Sequence, residues 1–167
     1  MYEQELRMTG TAGVPPQTIP DEPAPEVMQT RFGEVTIYRT NPLVFPNGML
    51  GLPDKFEYCL TKLPSEKLAR FKLLQSLDDA ELSFITLPVD VDNKIIERKD
   101  VEVACRDLAY DVNIVTLLFV VTVHRAGSQV KLSVNARAPI FVDTPKRVAS
   151  QYVFHNAKYD IQHMITL

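Results

Sequence analysis

The sequence predicts a mainly β protein: a small antiparallel β-barrel-like domain with at most one or two short helices. Three observations carry this expectation. Residues 113–123 form an almost unbroken apolar run (Ile114, Val115, Leu117, Leu118, Phe119, Val120, Val121, Val123), and a strand that is apolar on both faces has to be covered on both sides. Residues 130–142 begin as an alternating strand, break at Asn135-Ala136-Arg137-Ala138-Pro139 and resume as an apolar run, the pattern of a strand closing against a barrel or sandwich wall. About eight short segments of β character recur between turn signals, the spacing of an antiparallel barrel or sandwich.

The elements follow in order. The chain has 167 residues, enough for one domain that buries a core without disulfide or metal staples. Residues 1–28 hold five of the twelve prolines, five acidic residues and one arginine. Such a segment buries too little apolar surface to offset its ordering entropy, so it is expected to be disordered, as a plain tail or as an acidic interaction arm. The domain is placed at residues 29–167. Residues 32–39, rich in β-branched and aromatic side chains, predict a strand ended by Asn41-Pro42. Residues 45–52 are loop chemistry, because prolines remove ladder donors and glycines permit positive φ. A short strand is expected at 56–60, and strands at 71–77 and 82–87 flank a four-residue connector, Asp78-Asp79-Ala80-Glu81. Residues 90–110 are divided: Val101-Glu102-Val103 alternates as in a strand, whereas 104–110 fit about two turns of helix. After the central run, residues 125–128 turn into a strand at 129–135, and strands at 140–142, 148–154 and 159–161 complete the set.

Several functional classes are excluded by pattern. There is no run of about 18 apolar residues and no charged-then-apolar leader, so a cytoplasmic protein is expected. Cys59 and Cys105 lack Cys-x-x-Cys spacing and are expected to be free, half-buried thiols. His124, His155 and His163 show no ligand spacing, so no metal is expected. The chain has no Gly-x-Ser-x-Gly elbow and no phosphate loop, which points away from catalysis and from any cofactor. Asp78 and Asp79 with Glu81 offer oxygens to a hard cation, but further ligands and a fixing glycine are missing, and the group reads as a solvated hairpin tip. Asn135 and Gln151 border apolar strands. Burying either unpaired costs about 1–3 kcal/mol, so backbone groups should satisfy them, with a partner contact as the alternative. The net charge of −3 hides a polarity: residues 76–111 carry ten acids and four bases, residues 112–167 two acids and six bases. That favours electrostatically steered protein partners over nucleic acid, for which no basic cluster is interleaved with aromatics.

Four ordered blocks, covering roughly residues 30–165, resemble the flagellar assembly factor FliW family. They are Arg31-Phe32-Gly33-Glu34-Val35 with Phe45-Pro46-Asn47-Gly48-Met49-Leu50-Gly51-Leu52; Phe71-Lys72-Leu73-Leu74-Gln75-Ser76-Leu77-Asp78-Asp79 with Leu82, Phe84 and Pro88; Val112-Asn113-Ile114-Val115-Thr116; and Val134-Asn135-Ala136-Arg137-Ala138-Pro139-Ile140 followed by Gln151, Tyr159 and His163. The chain departs from the family pattern at Leu50, where proline is usual, at Leu52, where phenylalanine is usual, and at Gln162, where arginine is usual.

The resemblance implies a monomeric, non-catalytic β-barrel-like protein that binds flagellin in the cytoplasm and also binds the translational regulator CsrA, coupling flagellin level to flagellin translation. Flagellin's terminal segments are amphipathic helices, which an apolar groove or strand edge accepts. Met49, Leu50, Tyr159 and Met164 are the candidate contacts on this basis, and Leu52, Asn135, Gln151 and His163 are further candidates for partner contact. Asp78 and Asp79, within the acidic stretch 76–111, are candidates for a basic partner such as CsrA, which must hold RNA phosphates. Two other functions stand beside this one: a flagellin-only, chaperone-like paralogue, and a barrel that holds a small apolar ligand.

Overall fold

Side-chain alternation along the strands sorts this chain into three apolar layers. The computed structural model describes residues 24–166. In chain order its elements are β1 (Glu26–Thr30), β2 (Gly33–Ile37), β3 (Leu43–Val44), β4 (Glu57–Lys62), β5 (Lys72–Ser76), β6 (Ser83–Val89), α1 (Arg98–Leu108), β7 (Val115–Ala126), β8 (Gln129–Val134), β9 (Ile140–Asp143), β10 (Val148–Gln151) and β11 (His163–Ile165). Seven strands close a barrel in the order β7-β6-β5-β4-β3-β10-β9, with β9 returning to β7. The barrel pairings are antiparallel apart from one parallel contact, Val148 with Val44. β7 holds the closure, pairing through Leu117–Val120 with β6 and through Val115–Leu118 with β9. Its remaining half leaves the wall and pairs with β8, which in turn pairs with β11. β1 and β2 form a separate hairpin.

The expected two-sided burial of the central run holds over Val115–Val121, whereas Ile114 and Val123 at its ends are each 40% exposed. Leu118 points into the barrel with Phe45, Tyr58, Leu74 and Ile140. Leu117, Phe119 and Val121 point outward, under Val101, Ala104 and Cys105 of α1. The third layer packs Val35 and Ile37 of the hairpin onto Cys59, Leu73 and Leu77. A seven-stranded barrel is narrow enough for side chains to fill. The space at the end lined by Leu43, Leu118, Val142 and Arg147 is about 140 Å³, below the roughly 300 Å³ of ordinary ligand pockets.

Four expectations are corrected in detail. Val101-Glu102-Val103 is helical: Val101 is fully buried and Val103 is 43% exposed, because Val101, Ala104, Cys105 and Leu108 recur at helical spacing and outweigh a three-residue alternation. The helix stops where Ala109 turns left-handed (φ 56°) and the Tyr110 N–H donates to the Cys105 carbonyl at 2.8 Å, a helix-ending geometry. The last strand lies at His163–Ile165 instead of 159–161, since Tyr159 serves as a buried anchor. Both thiols are buried outright. The boundary expected at residue 28 falls inside β1, whose Met28 packs on the hairpin layer; residues 1–23 of the expected tail lie outside the described residues.

Tyr58, fully buried in the barrel interior, has its phenol pushed up to about 12, by burial first and then by Asp54 and Asp78. Folding therefore favours the neutral phenol. Its contribution to stability is complete below the ordinary value of 10.0 and is lost as pH rises through about 12. Urea unfolding followed between about pH 9 and 12 should show Tyr58→Phe losing less stability than the parent over this window. Parallel curves would contradict the assignment.

Candidate functional site

One end of the barrel gathers three connections: the loop from β3 to β4, the tip between β5 and β6, and the turn from β8 to β9. The β3–β4 loop is shaped by a tight turn in which the Met49 N–H donates to the Leu52 carbonyl at 3.3 Å and the Leu52 N–H donates to the Met49 carbonyl at 2.8 Å. Gly48, at φ 67°, admits no side chain, because a Cβ there would lie 2.4 Å from the Leu52 carbonyl oxygen. The turn buries Met49 in the barrel end and raises Leu50, 59% exposed, above it. The Phe45 N–H donates to the Phe56 carbonyl at 2.7 Å, and Phe56 is itself 43% exposed. Two large apolar side chains thus face outward from one braced loop.

Hydrogen bonds tie this loop to the barrel wall. The Leu50 N–H donates to Gln151 Oε1 at 3.0 Å, and Gln151 Nε2 donates to the Ala138 carbonyl at 3.0 Å. Ala138 N–H donates to Asn135 Oδ1 at 3.0 Å, and the Asn135 N–H donates to the Val120 carbonyl at 3.0 Å. Asn135 and Gln151 are therefore satisfied largely by backbone groups, as their position at strand ends suggested. They brace the rim.

The hairpin tip is built around Gln75. Its buried amide donates to the Ser76 carbonyl at 3.0 Å and the Asp79 carbonyl at 2.9 Å, and Asp79 Oδ1 accepts the Glu81 N–H at 3.0 Å. Lys55 of the neighbouring loop lies 4.0 Å from Asp79. Asp78 is exposed and Asp79 half-buried. The Leu77 N–H donates to the Glu57 carbonyl at 3.0 Å, which with the Lys55–Asp79 approach brings the start of β4 and the tip onto the same rim.

Seven of the ten candidate residues (Met49, Leu50, Leu52, Asp78, Asp79, Asn135 and Gln151) therefore meet at one end of the barrel. Tyr159, His163 and Met164 do not. The Tyr159 hydroxyl accepts the Glu97 N–H at 3.1 Å and donates to Asp100, while Lys158 Nζ lies 2.7 Å from both Glu97 and Asp100. Lys158 holds the Glu97 and Asp100 carboxyls below their usual range, and burial followed by Asp100 pushes the Tyr159 phenol up. This network fastens the C-terminal segment to the start of α1. His163 sits half-buried in β11, opposite Val134 and beside the exposed Met164.

The acidic stretch 76–111 also divides. Its helical part is largely paired, Arg98 with Asp92 at 2.6 Å and Glu102 at 3.0 Å, and the Tyr152 hydroxyl with Asp107 at 2.6 Å. The rim instead gains Asp54, Glu57 and Phe56, which the sequence reading missed. Local pattern gave no signal for them, since their place depends on where β4 begins relative to the tip. Among the described residues no group of three His, Cys, Asp or Glu side chains is arranged to hold a metal ion, and no helix is long and apolar enough to cross a membrane. Apolar side chains ringed by carboxylates suit a partner helix with apolar and basic faces.

Gln151→Ala removes both ends of the loop bridge. It should cost about 1–2 kcal/mol in urea unfolding and speed hydrogen exchange at the Leu50 amide. Unchanged exchange at Leu50 would show that the loop is held by other contacts.

The FliW protein family model matches residues 26–165. A flagellar assembly factor FliW from Bacillus pumilus (strain SAFR-032) is 30% identical over 149 residues, covering 83% of this chain and 95% of that protein. Another from Geotalea uraniireducens (strain Rf4) is 31% identical over 147 residues, covering 83% and 82%. A crystal structure of the flagellar assembly factor FliW superposes with a TM-score of 0.59 at 19% identity, covering 83% of this chain and 96% of that one, which shows the shared fold. With a family match over nearly the whole described region, and with relatives that share its length, this chain belongs to the FliW family.

Proposed function

We propose that this chain is a flagellar assembly factor that binds flagellin in the cytoplasm through the barrel rim, and that it antagonises CsrA. It works by binding and not by catalysis. The observation that carries this is the pair Leu50 and Phe56, exposed on a hydrogen-bonded loop and flanked by Asp54, Glu57, Asp78 and Asp79. An apolar knob on a rigid support costs little ordering entropy on binding, and an amphipathic helix of flagellin supplies the matching apolar face. Two partners competing for one protein partition by concentration and affinity, so scarce flagellin would leave CsrA sequestered and abundant flagellin would free it. The pairing of the helical acids favours a second reading, a flagellin-only factor, because it leaves the rim carboxylates as the main charge available to a basic partner.

Isothermal titration of the full chain tests both. Leu50→Asp should weaken flagellin binding at least about tenfold, equivalent to 1.4 kcal/mol, with an unchanged circular-dichroism melt. Unaltered affinity in a folded variant would sink the rim as the flagellin site. CsrA binding should weaken as salt rises and in Asp78→Asn/Asp79→Asn, since exposed charges are screened beyond about 8 Å at physiological ionic strength. A salt-independent affinity would contradict the charge-based contact, and no CsrA binding would leave the flagellin-only factor.

A further inference from the structure

The β1–β2 hairpin covers the barrel without joining its ladder. Val35 and Ile37 pack on Cys59, Leu73 and Leu77, yet β2 and β4 are not paired. A groove of about 600 Å³ runs between them, lined by Thr36, Tyr38, Leu60 and Pro64. Among the described residues three hydrogen bonds tie residues 26–39 to the barrel, and every donor is a side chain. The Thr61 hydroxyl donates to the Thr36 carbonyl at 2.6 Å. Arg31 Nη2 donates to the Ser83 carbonyl at 2.6 Å, and Arg39 Nη1 donates to the Leu77 carbonyl at 2.8 Å. Leu77 and Ser83 bracket the rim tip, residues 78–82. Cys59, Gln75 and Ser83 form one row across β4, β5 and β6, and Gln75 alternates with Leu73 and Leu77 toward the covered face. Gln75 Oε1 and Ser83 Oγ are buried without a hydrogen-bond partner among the described residues. Such atoms oppose closure, because they regain water when the cover lifts.

We propose that the β1–β2 hairpin is a strap that opens and closes as one unit, and that Arg31 and Arg39 couple its position to the order of the rim tip. A two-stranded hairpin has little stability of its own, and this one is held by packing and a few side-chain bonds. Supersecondary units held in this way open at less cost than global unfolding. Opening uncovers Cys59, Leu73 and Leu77 while the seven-stranded ladder stays whole. It also withdraws the donors from the Leu77 and Ser83 carbonyls, the two points at which the hairpin grips the segment that carries Asp78 and Asp79. Arg31 and Arg39 are therefore positioning residues for the rim. The coupling is reciprocal: whatever orders the tip closes the strap, and a contact on the hairpin is felt at the tip. Its bearing on recognition rests on the rim as the binding site. The strap itself is tested without a partner, so the two readings fail separately.

Cys59 and Cys105 are 3% and 2% exposed, so static access does not separate them and labelling reads opening. The full chain is treated with N-ethylmaleimide under native conditions. Each thiol is followed by peptide mass mapping, and the tip amides by hydrogen exchange. Arg31→Met/Arg39→Met keeps the aliphatic stems and should speed labelling of Cys59 at least about tenfold, with Cys105 at the parent's rate. Thr61→Val touches the strap and not the tip. It should speed both Cys59 labelling and exchange at residues 77–82 by at least about twofold. Equal acceleration of the two thiols would mean that Cys59 is uncovered only by global unfolding, and overturns the strap. A Cys59 rate unchanged in both variants overturns it as well. Faster Cys59 labelling in Thr61→Val without faster exchange at 77–82 overturns the coupling to the rim.

Discussion

The first half of strand β7 cannot leave either face in water, and most of the architecture answers that constraint. It alternates between the barrel interior, at Leu118, and the layer under α1, at Leu117 and Phe119. One strand thereby fixes the barrel closure through β6 and β9 and calls for a helix outside it. The second half is more exposed and carries β8 away from the wall. Where the two halves meet, the Val120 carbonyl accepts the Asn135 N–H, and the chain must turn through residues 135–139 to re-enter as β9. The rim exists because β7 changes partners at that point.

This origin gives the rim its rigidity. The turn at 135–139 is locked by Asn135, Gln151 joins it to Leu50, and Gln75 braces the neighbouring tip from inside. Asn135, Gln151 and Gln75 form the frame of the rim, and the exposed apolar and acidic side chains beside them are the face we propose for recognition. A buried amide that donates to several carbonyls at once is difficult to replace, because an apolar side chain supplies none of those donors. The network of Lys158, Tyr159, Glu97 and Asp100 is separate from the rim: it clasps the segment before β11 to the start of α1.

The legible parts of the fold were those written in local alternation. The β5–β6 hairpin, β7, and the break at Asn135 to Pro139 all follow from period-two patterning and turn chemistry. The seven-stranded closure was not legible in detail, because the parallel contact of Val44 with Val148 joins residues a hundred positions apart. Val101-Glu102-Val103 misled because three residues cannot distinguish period 2 from period 3.6. Leu50 was legible as a loop-tip residue, whereas Asp54, Glu57 and Phe56 became part of the site only through the register of β4. Tyr159 and His163 were drawn in by their place in the family pattern, and the structure gives Tyr159 a packing and hydrogen-bonding reason for being there.

The central claim is that recognition belongs to the barrel rim. Hydrogen–deuterium exchange of the full chain, alone and saturated with flagellin, tests it most directly, because it reads every segment without prior choice of residue. The account predicts added protection at residues 48–57 and 77–82, with α1 and residues 159–165 unchanged. Protection confined to α1 or β11, with the rim exchanging as in the free protein, would contradict it.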